Sequence, residues 1–315
     1  MNNHFRIIQY LPLTRARATR RFLNKLDRMR VNAILDLEDS AQDPFDLART
    51  SSLKKEARNG LLRISESFDK NYHSEIYIRI NAMNSEYFND DIDAVIASSK
   101  SGMPINGIFL PKTEDFESIQ ELHQILEEQN VSLDIVPMIE TSNGYNNLPK
   151  ILSLEKDTNL VSKVHYGHFD YCLDSNLWPF PDPFHKDYWQ IITPIMDCLE
   201  EYNKLYIHTP FPFPDDKSLF WLSQYHINKI RPDLKFWACT LNLELSLSED
   251  PQCFEELSLS EISKNKDELK TEANTIIEDY HKGRANKRSF GMSSSRFIPP
   301  HQVFAAQKYL KEISK

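Results

Sequence analysis

Residues 33–40 read AILDLEDS. The run is apolar enough for a buried strand and too short to stand as a helix. Side chains alternate along a strand, so Asp36 and Glu38 share one face while Leu35 and Leu37 share the other. If the leucines pack beneath helices, the two carboxylates point the opposite way, toward the axis of a barrel. Working outward, similar runs occur at residues 5–11, 76–80, 107–110, 133–138, 163–167, 205–209 and 234–240. Their starts are spaced by roughly 30 residues, the length of one strand–helix–strand step. Eight such strands, most followed by a helix, predict an α/β fold, a (β/α)8 TIM barrel, with a doubly wound open sheet as the structural alternative.

The intervening segments carry helix-period patterns. Phe22, Leu26 and Met29 fall on one face after the first strand. Ile119, Leu122 and Leu126 do so after the fourth, with Thr113 as N-cap and Glu114 and Asp115 in the first turn. Tyr188, Ile192, Ile195, Leu199 and Tyr202 form a stripe after the sixth, with a kink expected at Pro194. Two proline-rich stretches, WPFPDPF (178–184) and TPFPFPDD (209–216), read as irregular loops at strand ends. Residues 1–245 are assigned to the barrel and 246–315 to a helical extension that packs on the barrel or on a neighbouring subunit.

Composition narrows the function. With 37 Lys+Arg against 46 Asp+Glu, the net charge of −9 argues against a general nucleic-acid surface. No apolar run reaches the ~18 residues of a membrane span. Residues 5–13 are short and interrupted by Arg6 and Gln9, so no signal peptide is read and a cytoplasmic setting is expected. Cys172, Cys198, Cys239 and Cys253 lack CxxC spacing, which speaks against a zinc site or disulfide framework. Only seven glycines occur, and neither GxGxxG nor GxxxxGK[ST] is present, which removes the usual phosphate-cradling loops.

The polar residues that end the strands carry the chemistry. After Asp36 and Glu38 come Arg79 and Asn81, then Lys112, Glu140, and finally Asp170. Carboxylates converging on one mouth need a cation or raised pKa values. Oxygen donors without a cysteine or histidine cluster suit a hard ion, Mg²⁺, with Glu140 and Asp170 as its ligands. Arg79 offers a planar fork to a substrate oxygen. Such a pair polarises a carbonyl and stabilises an enolate, which aldol and Claisen chemistry requires.

Several strings, LDLEDS (35–40), RIN (79–81), LPK (110–112), IET (139–141) and GHFD (167–170), together resemble the citrate lyase β-subunit-like family of the HpcH/HpaI aldolase superfamily. The likeness runs over about residues 5–174 and weakens beyond. It implies a Mg²⁺-dependent barrel that makes or breaks C–C bonds, often in CoA thioesters, and a homo-oligomer such as a trimer. By the resemblance, Glu140 and Asp170 match the metal ligands, Arg79 the arginine on the substrate oxygen, and Asp36 and Glu38 the acidic pair at the active site. Arg15 lies near the arginine that handles phosphate or CoA groups. Two departures stand out: Leu13-Thr14 replaces a glycine after the first strand, and Pro299 falls where some relatives carry a catalytic aspartate. The second speaks against a malate-synthase-type reaction.

The expected activity is a Mg²⁺-dependent carbon–carbon lyase acting on a small oxo- or hydroxy-acid or its CoA thioester. Asp36, Glu38 and Arg79 are the catalytic candidates; Arg15, Arg79 and Lys112 are the substrate-binding ones. A catalytically silent, ligand-binding subunit of a biosynthetic complex is the alternative, and a phosphate-ester or enolpyruvate enzyme a third. Seven cations between Arg15 and Arg30 read as a solvated face or an anion site. The basic segment 282–288 reads as a loop. Among the histidines, His165, His168, His208 and His301 are candidates for acid–base or ligand roles, with His168 and His208 expected at the mouth. Cys172 has no readable His–Asp partner arrangement. The aromatics of the two proline-rich loops read as packing, with a substrate lid as the alternative.

Overall fold

The computed structural model describes residues 5–66, 68, 71–156, 158–248, 256–285, 291–293 and 296–315. Cys253 and the end of the 282–288 segment lie outside the described residues. The chain starts with β1 (Phe5–Pro12), α1 (Ala16–Arg28), β2 (Asn32–Asp36), a 3-10 turn (Asp39–Ala41) and α2 (Leu47–Ser65). Then come β3 (Ile76–Arg79), α3 (Phe88–Lys100), β4 (Ile105–Leu110), α4 (Glu117–Glu128), β5 (Asp134–Ile139) and α5 (Ser142–Glu155). They are followed by β6 (Lys163–Tyr166), α6 (His168–Asp174), α7 (Lys186–Glu201), β7 (Leu205–Pro210), α8 (Lys217–Ile230) and β8 (Phe236–Thr240). The chain continues through α9 (Leu243–Ser246), α10 (Lys266–Ala285), β9 (Gly291–Ser293), β10 (Arg296–Ile298) and α11 (Pro300–Ile313).

Strands β1 to β8 close into a parallel barrel in sequence order. β1 pairs with β8 to seal it, Phe5 opposite Phe236 and Gln9 opposite Thr240. Each predicted strand is present, with ends moved by one or two residues. The alternation read from AILDLEDS holds. Leu35 and Leu37 join the apolar layer under the helices. Ile34 points into the bore with Tyr10, Tyr77, Phe109, Ile207 and Trp237. Edge-to-face contacts lock this interior, Tyr77 to Phe109 at 5.5 Å and Tyr77 to Trp237 at 5.9 Å between ring centres.

Two helix expectations need correction. α1 buries Thr19, Leu23 and Leu26, while Phe22 and Met29 are exposed. Thr19 can be buried because its hydroxyl donates to the carbonyls of Pro12 and Arg15. Thr113 does not cap α4: its hydroxyl turns back to the Leu110 carbonyl, and Asp115 instead accepts from the Ser118 amide. The stripe of α7 is buried as expected through Tyr188, Ile192, Ile195 and Leu199, and Pro194 lies inside the helix. α2 presses directly on the turn after β1, where a Cβ on Gly60 would stand 2.2 Å from the Leu13 carbonyl oxygen. Only glycine permits that approach.

The C-terminal elements sit at the C-terminal end of the barrel. Ala273, Ile276 and Tyr280 of α10 pack with Ile298 and with Val303 and Ala306 of α11. The Phe297 amide donates to the Pro212 carbonyl in the loop after β7. Arg284 grips both oxygens of Asp43, at 2.9 and 2.8 Å. Arg296 pairs with Asp182 at 2.9 Å in the 178–184 loop. That loop is packed rather than swinging free: Phe180 is buried, Trp178 stacks on Tyr309, and Pro183 accepts from the Trp189 indole.

Candidate active site

A cavity of about 680 Å³ opens where the strands end. Its floor is polar, with Asp36, Asp39, Arg79, Glu140, Asp170 and His301. Register creates the first part of it. In the β2–β3 ladder Asp36 stands opposite Arg79. Arg79 Nε donates to Asp36 Oδ1 and Nη2 donates to Oδ2, both at 2.7 Å. Nη1 donates to Asp39 Oδ2 at 2.8 Å and lies 2.9 Å from Glu38 Oε2. The guanidinium rests over the Tyr10 ring, 4.6 Å from its centre. Asp36 in turn accepts from the amides of Glu38 and Ser40, so the LDLEDS turn folds around its own carboxylate. Arg79 is thus engaged by three acids rather than extended toward an open fork.

These acids differ in charge state. Burial and the neighbouring Asp39 charge push Glu38 up to about 8. Asp39, half-buried, is held below its usual range by Arg79 and His301 against the opposing effect of burial. Beneath them lies Lys54, a residue without a sequence signal. Its ammonium donates to the carbonyls of Leu37 and Glu38 and to Asn81 Oδ1, at 3.2, 2.7 and 2.6 Å. Burial lowers its pKa, opposed by Glu38 and Asp36.

Glu140 directly follows β5, and Asp170 lies in the first turn of α6. Glu140 is 1% exposed. Its Oε1 accepts from the Lys112 amide at 2.9 Å. Lys112 adopts φ +52°, a left-handed turn that aims this amide inward. Gly167 makes room for the carboxylate, since a Cβ there would lie 2.4 Å from Glu140 Oε2. Burial and the charges of Asp170 and Glu38 raise the Glu140 pKa well above the carboxylate range. Asp170 Oδ1 lies 3.6 Å from Lys112 Nζ, and Asp170 Oδ2 lies 3.2 Å from His301 Nε2. Burial opposes the Asp170 charge, but His301 wins and keeps the carboxyl ionised. The same pairing overcomes burial to lift His301 to about 9.

Five carboxylates therefore share one mouth with Arg79, Lys54, Lys112 and His301. Burial first, and neighbouring carboxylates second, push two of these acids toward the neutral form, and a cation among them would relieve both. Oxygen donors facing a common space suit a divalent cation. Asp39, Asp170 and His301 each present a ligand atom within 4.8 Å of the others. Glu140 lines the same cavity, with its Oε1 held by the Lys112 amide, but stands outside that group of three. The residues present fit such an ion.

The sequence-derived candidates Asp36, Glu38, Arg79, Lys112, Glu140 and Asp170 come together here. Arg15 does not. It precedes α1 and lines a separate groove of about 730 Å³ with Arg17, Arg20, Arg21 and Arg63. His168 lines the cavity, but both ring nitrogens are taken, by Tyr166 and by the Pro181 carbonyl. His208 is enclosed between Tyr188 and Tyr206, away from the cavity lining. The histidine at the acids is His301, carried in from the C-terminal elements. Phe22, off the buried face of its helix, lines the mouth with Leu241, Leu243, Phe297 and Pro299.

The family model described as HpcH/HpaI aldolase/citrate lyase matches residues 10–180. A citrate lyase subunit beta-like protein of Deinococcus radiodurans is 26% identical over 152 residues, 48% of this chain and 48% of that protein. The matched part thus spans about half the length of that relative. Among solved structures, a malate synthase of Haloferax volcanii in a pyruvate/acetyl-CoA ternary complex superposes with a TM-score of 0.74 at 13% identity, covering 99% of this chain and 92% of that one. A citrate lyase beta subunit from M. tuberculosis, complexed with oxaloacetate and magnesium, gives 0.56 at 16% identity, covering 76% and 94%. At these identities the structural likenesses speak to the fold.

Proposed function

The chain belongs to the HpcH/HpaI aldolase/citrate lyase family, and from that premise we propose that it is a divalent-metal-dependent carbon–carbon lyase acting on a small oxo- or hydroxy-acid or its CoA thioester. The observation that carries the reading is the buried gathering of Glu140 and Asp170 beside Arg79 at the barrel mouth. Glu140 and Asp170 hold the ion, which is Mg²⁺ on this reading. A bound divalent ion polarises a carbonyl oxygen and stabilises the enolate formed on C–C cleavage. Arg79, held rigid by Asp36 and by the Tyr10 face, adds a fixed positive charge on the same side. Glu38, with a pKa of about 8, holds or releases a proton near neutral pH next to that arginine. Lys112, at the rim above Asp170, is placed to meet an anionic part of the substrate. The bipartite cavity suits an acid whose charged end meets the floor and whose remainder lies against Phe22, Leu243 and Phe297. A homo-oligomer, such as a trimer, and a cytoplasmic setting belong to the same proposal. No helix among the described residues is long and apolar enough to cross a membrane.

A second reading, a ligand-binding subunit without turnover, is favoured by one observation: Arg79 is already saturated by three acids. Calorimetric titration of Mg²⁺ into wild type and Glu140→Ala tests the metal. Equal affinities remove the assignment. A panel of 2-oxo acids, hydroxy-acids and acyl-CoA thioesters, followed for carbon-skeleton cleavage, tests the reaction. Metal binding without cleavage of any of them favours the second reading.

A further inference from the structure

We propose that His301 is a nitrogen ligand to the ion at the barrel mouth, so that the site prefers Mn²⁺ or another first-row transition ion to Mg²⁺. This rests on the reading that the mouth binds a divalent cation and goes beyond the oxygen ligands Glu140 and Asp170.

The geometry points to the imidazole as part of the donor set. His301 lies in the first turn of α11 and lines the cavity. Its Nε2 lies 3.2 Å from Asp170 Oδ2 and 4.0 Å from Asp39 Oδ1. Those distances make Nε2 the atom presented to the acids, while Nδ1 is buried without a hydrogen-bond partner among the described residues. Ligands bonded at about 2.1 Å stand about 3 Å apart when adjacent and about 4.2 Å apart when opposite. The three donor atoms, all within 4.8 Å of one another, need only a small closure to reach that shape. Glu140, almost fully buried, lines the same cavity.

Ligand type then sets the metal. Magnesium is hard, holds oxygen donors and keeps several waters. An imidazole beside carboxylates suits Mn²⁺, Fe²⁺, Co²⁺ or Zn²⁺ and contributes little to Mg²⁺. Among the cavity histidines, His301 is the one whose ring nitrogen faces carboxylates of the proposed donor set. His165 is bonded at both nitrogens, to Tyr10 and to the Ile207 carbonyl. His168 is bonded at both, to Tyr166 and to the Pro181 carbonyl. A nitrogen signal at the metal thereby identifies residue 301.

The test uses the full chain. Wild-type protein loaded with Mn²⁺ is examined by pulsed EPR for ¹⁴N coupling from a directly bound imidazole. Mn²⁺ and Mg²⁺ are each titrated by calorimetry into wild type and His301→Gln. The expected result is ¹⁴N coupling in wild type, its loss in His301→Gln, and a Mn²⁺ affinity at least about 10-fold weaker in the variant. Mg²⁺ affinity should shift by less than about 3-fold. Wild-type Mn²⁺ bound without ¹⁴N coupling overturns the proposal, whatever the folding of the variant, and leaves the oxygen-ligand reading standing. Equal weakening for both ions also overturns it. If neither ion binds wild type, this inference and the metal reading fall together.

Discussion

Asp36 and Arg79 are joined at two points across adjacent strands, with Nε to Oδ1 and Nη2 to Oδ2 both at 2.7 Å. The carboxylate is 2% exposed and the arginine 7%, so neither charge can turn to water if the other is lost. Each holds the other in place, and the LDLEDS turn hangs from the same carboxylate through two amides.

Asp36→Asn removes one charge of this pair while keeping its shape. It should destabilise the protein by about 3 kcal/mol, because a buried guanidinium loses its main counter-charge. Urea unfolding of the variant against wild type reads this directly. An unchanged midpoint would mean that Asp39 and Glu38 suffice to hold Arg79.

Gly167→Ala tests the cradle of Glu140. The added methyl would overlap Oε2 at 2.4 Å, so the carboxylate must move. Affinity for a divalent ion should fall about 10-fold or more while the far-UV circular dichroism spectrum stays that of a folded barrel. Calorimetry at wild-type strength would show that Glu140 does not hold the ion.

Lys54→Met keeps the aliphatic stem and removes the ammonium that serves two carbonyls and Asn81. Three buried acceptors then lose a donor, at an expected cost of about 2–3 kcal/mol. The exposed neighbour gives the control: Lys55→Met should stay within about 0.5 kcal/mol. Similar denaturation midpoints for the two variants would contradict the role given to Lys54.

The pH dependence of stability follows from three enclosed histidines. Burial holds His165 and His208 down to about 3 and His168 down to about 4. In the unfolded chain an imidazole takes up a proton near pH 6.5. Between pH 6.5 and about 4 the unfolded state therefore binds more protons at these three groups, and their contribution to stability falls as pH falls. Each group contributes up to about 1.4 kcal/mol per pH unit in that window. Glu38 and Glu140, whose carboxyls the fold holds protonated, act in the opposite direction over the same window, so the histidine share is read as a difference between variant and wild type from pH 7 to 4.5. His208→Phe should lower the slope of stability against pH by about one group's share; an identical slope in the variant would show that His208 titrates freely in the fold.

Much of the architecture was legible because strands covered on both faces read as short apolar runs at a regular interval. Leu35 and Leu37 against Asp36 and Glu38 gave the facing of β2 from alternation alone. What alternation cannot give is the neighbour. Asp36 meets Arg79 through the β2–β3 register, so the guanidinium that reads as free in sequence is already held. α1 was misread because only apolar letters were counted; Thr19 buries its methyl once its hydroxyl has found carbonyls, and Phe22 is left to the mouth. His301 and Lys54 left weaker traces. One comes from elements folded back over the barrel, and the other sits in a helix among polar residues where any lysine would look solvated.

The filled bore decides how molecules come and go. Tyr77, Phe109 and Trp237 stopper the barrel below Tyr10, so a compound that reaches Arg79 must depart by the door it entered. Under the proposed cleavage, both fragments would share that one exit with the incoming substrate.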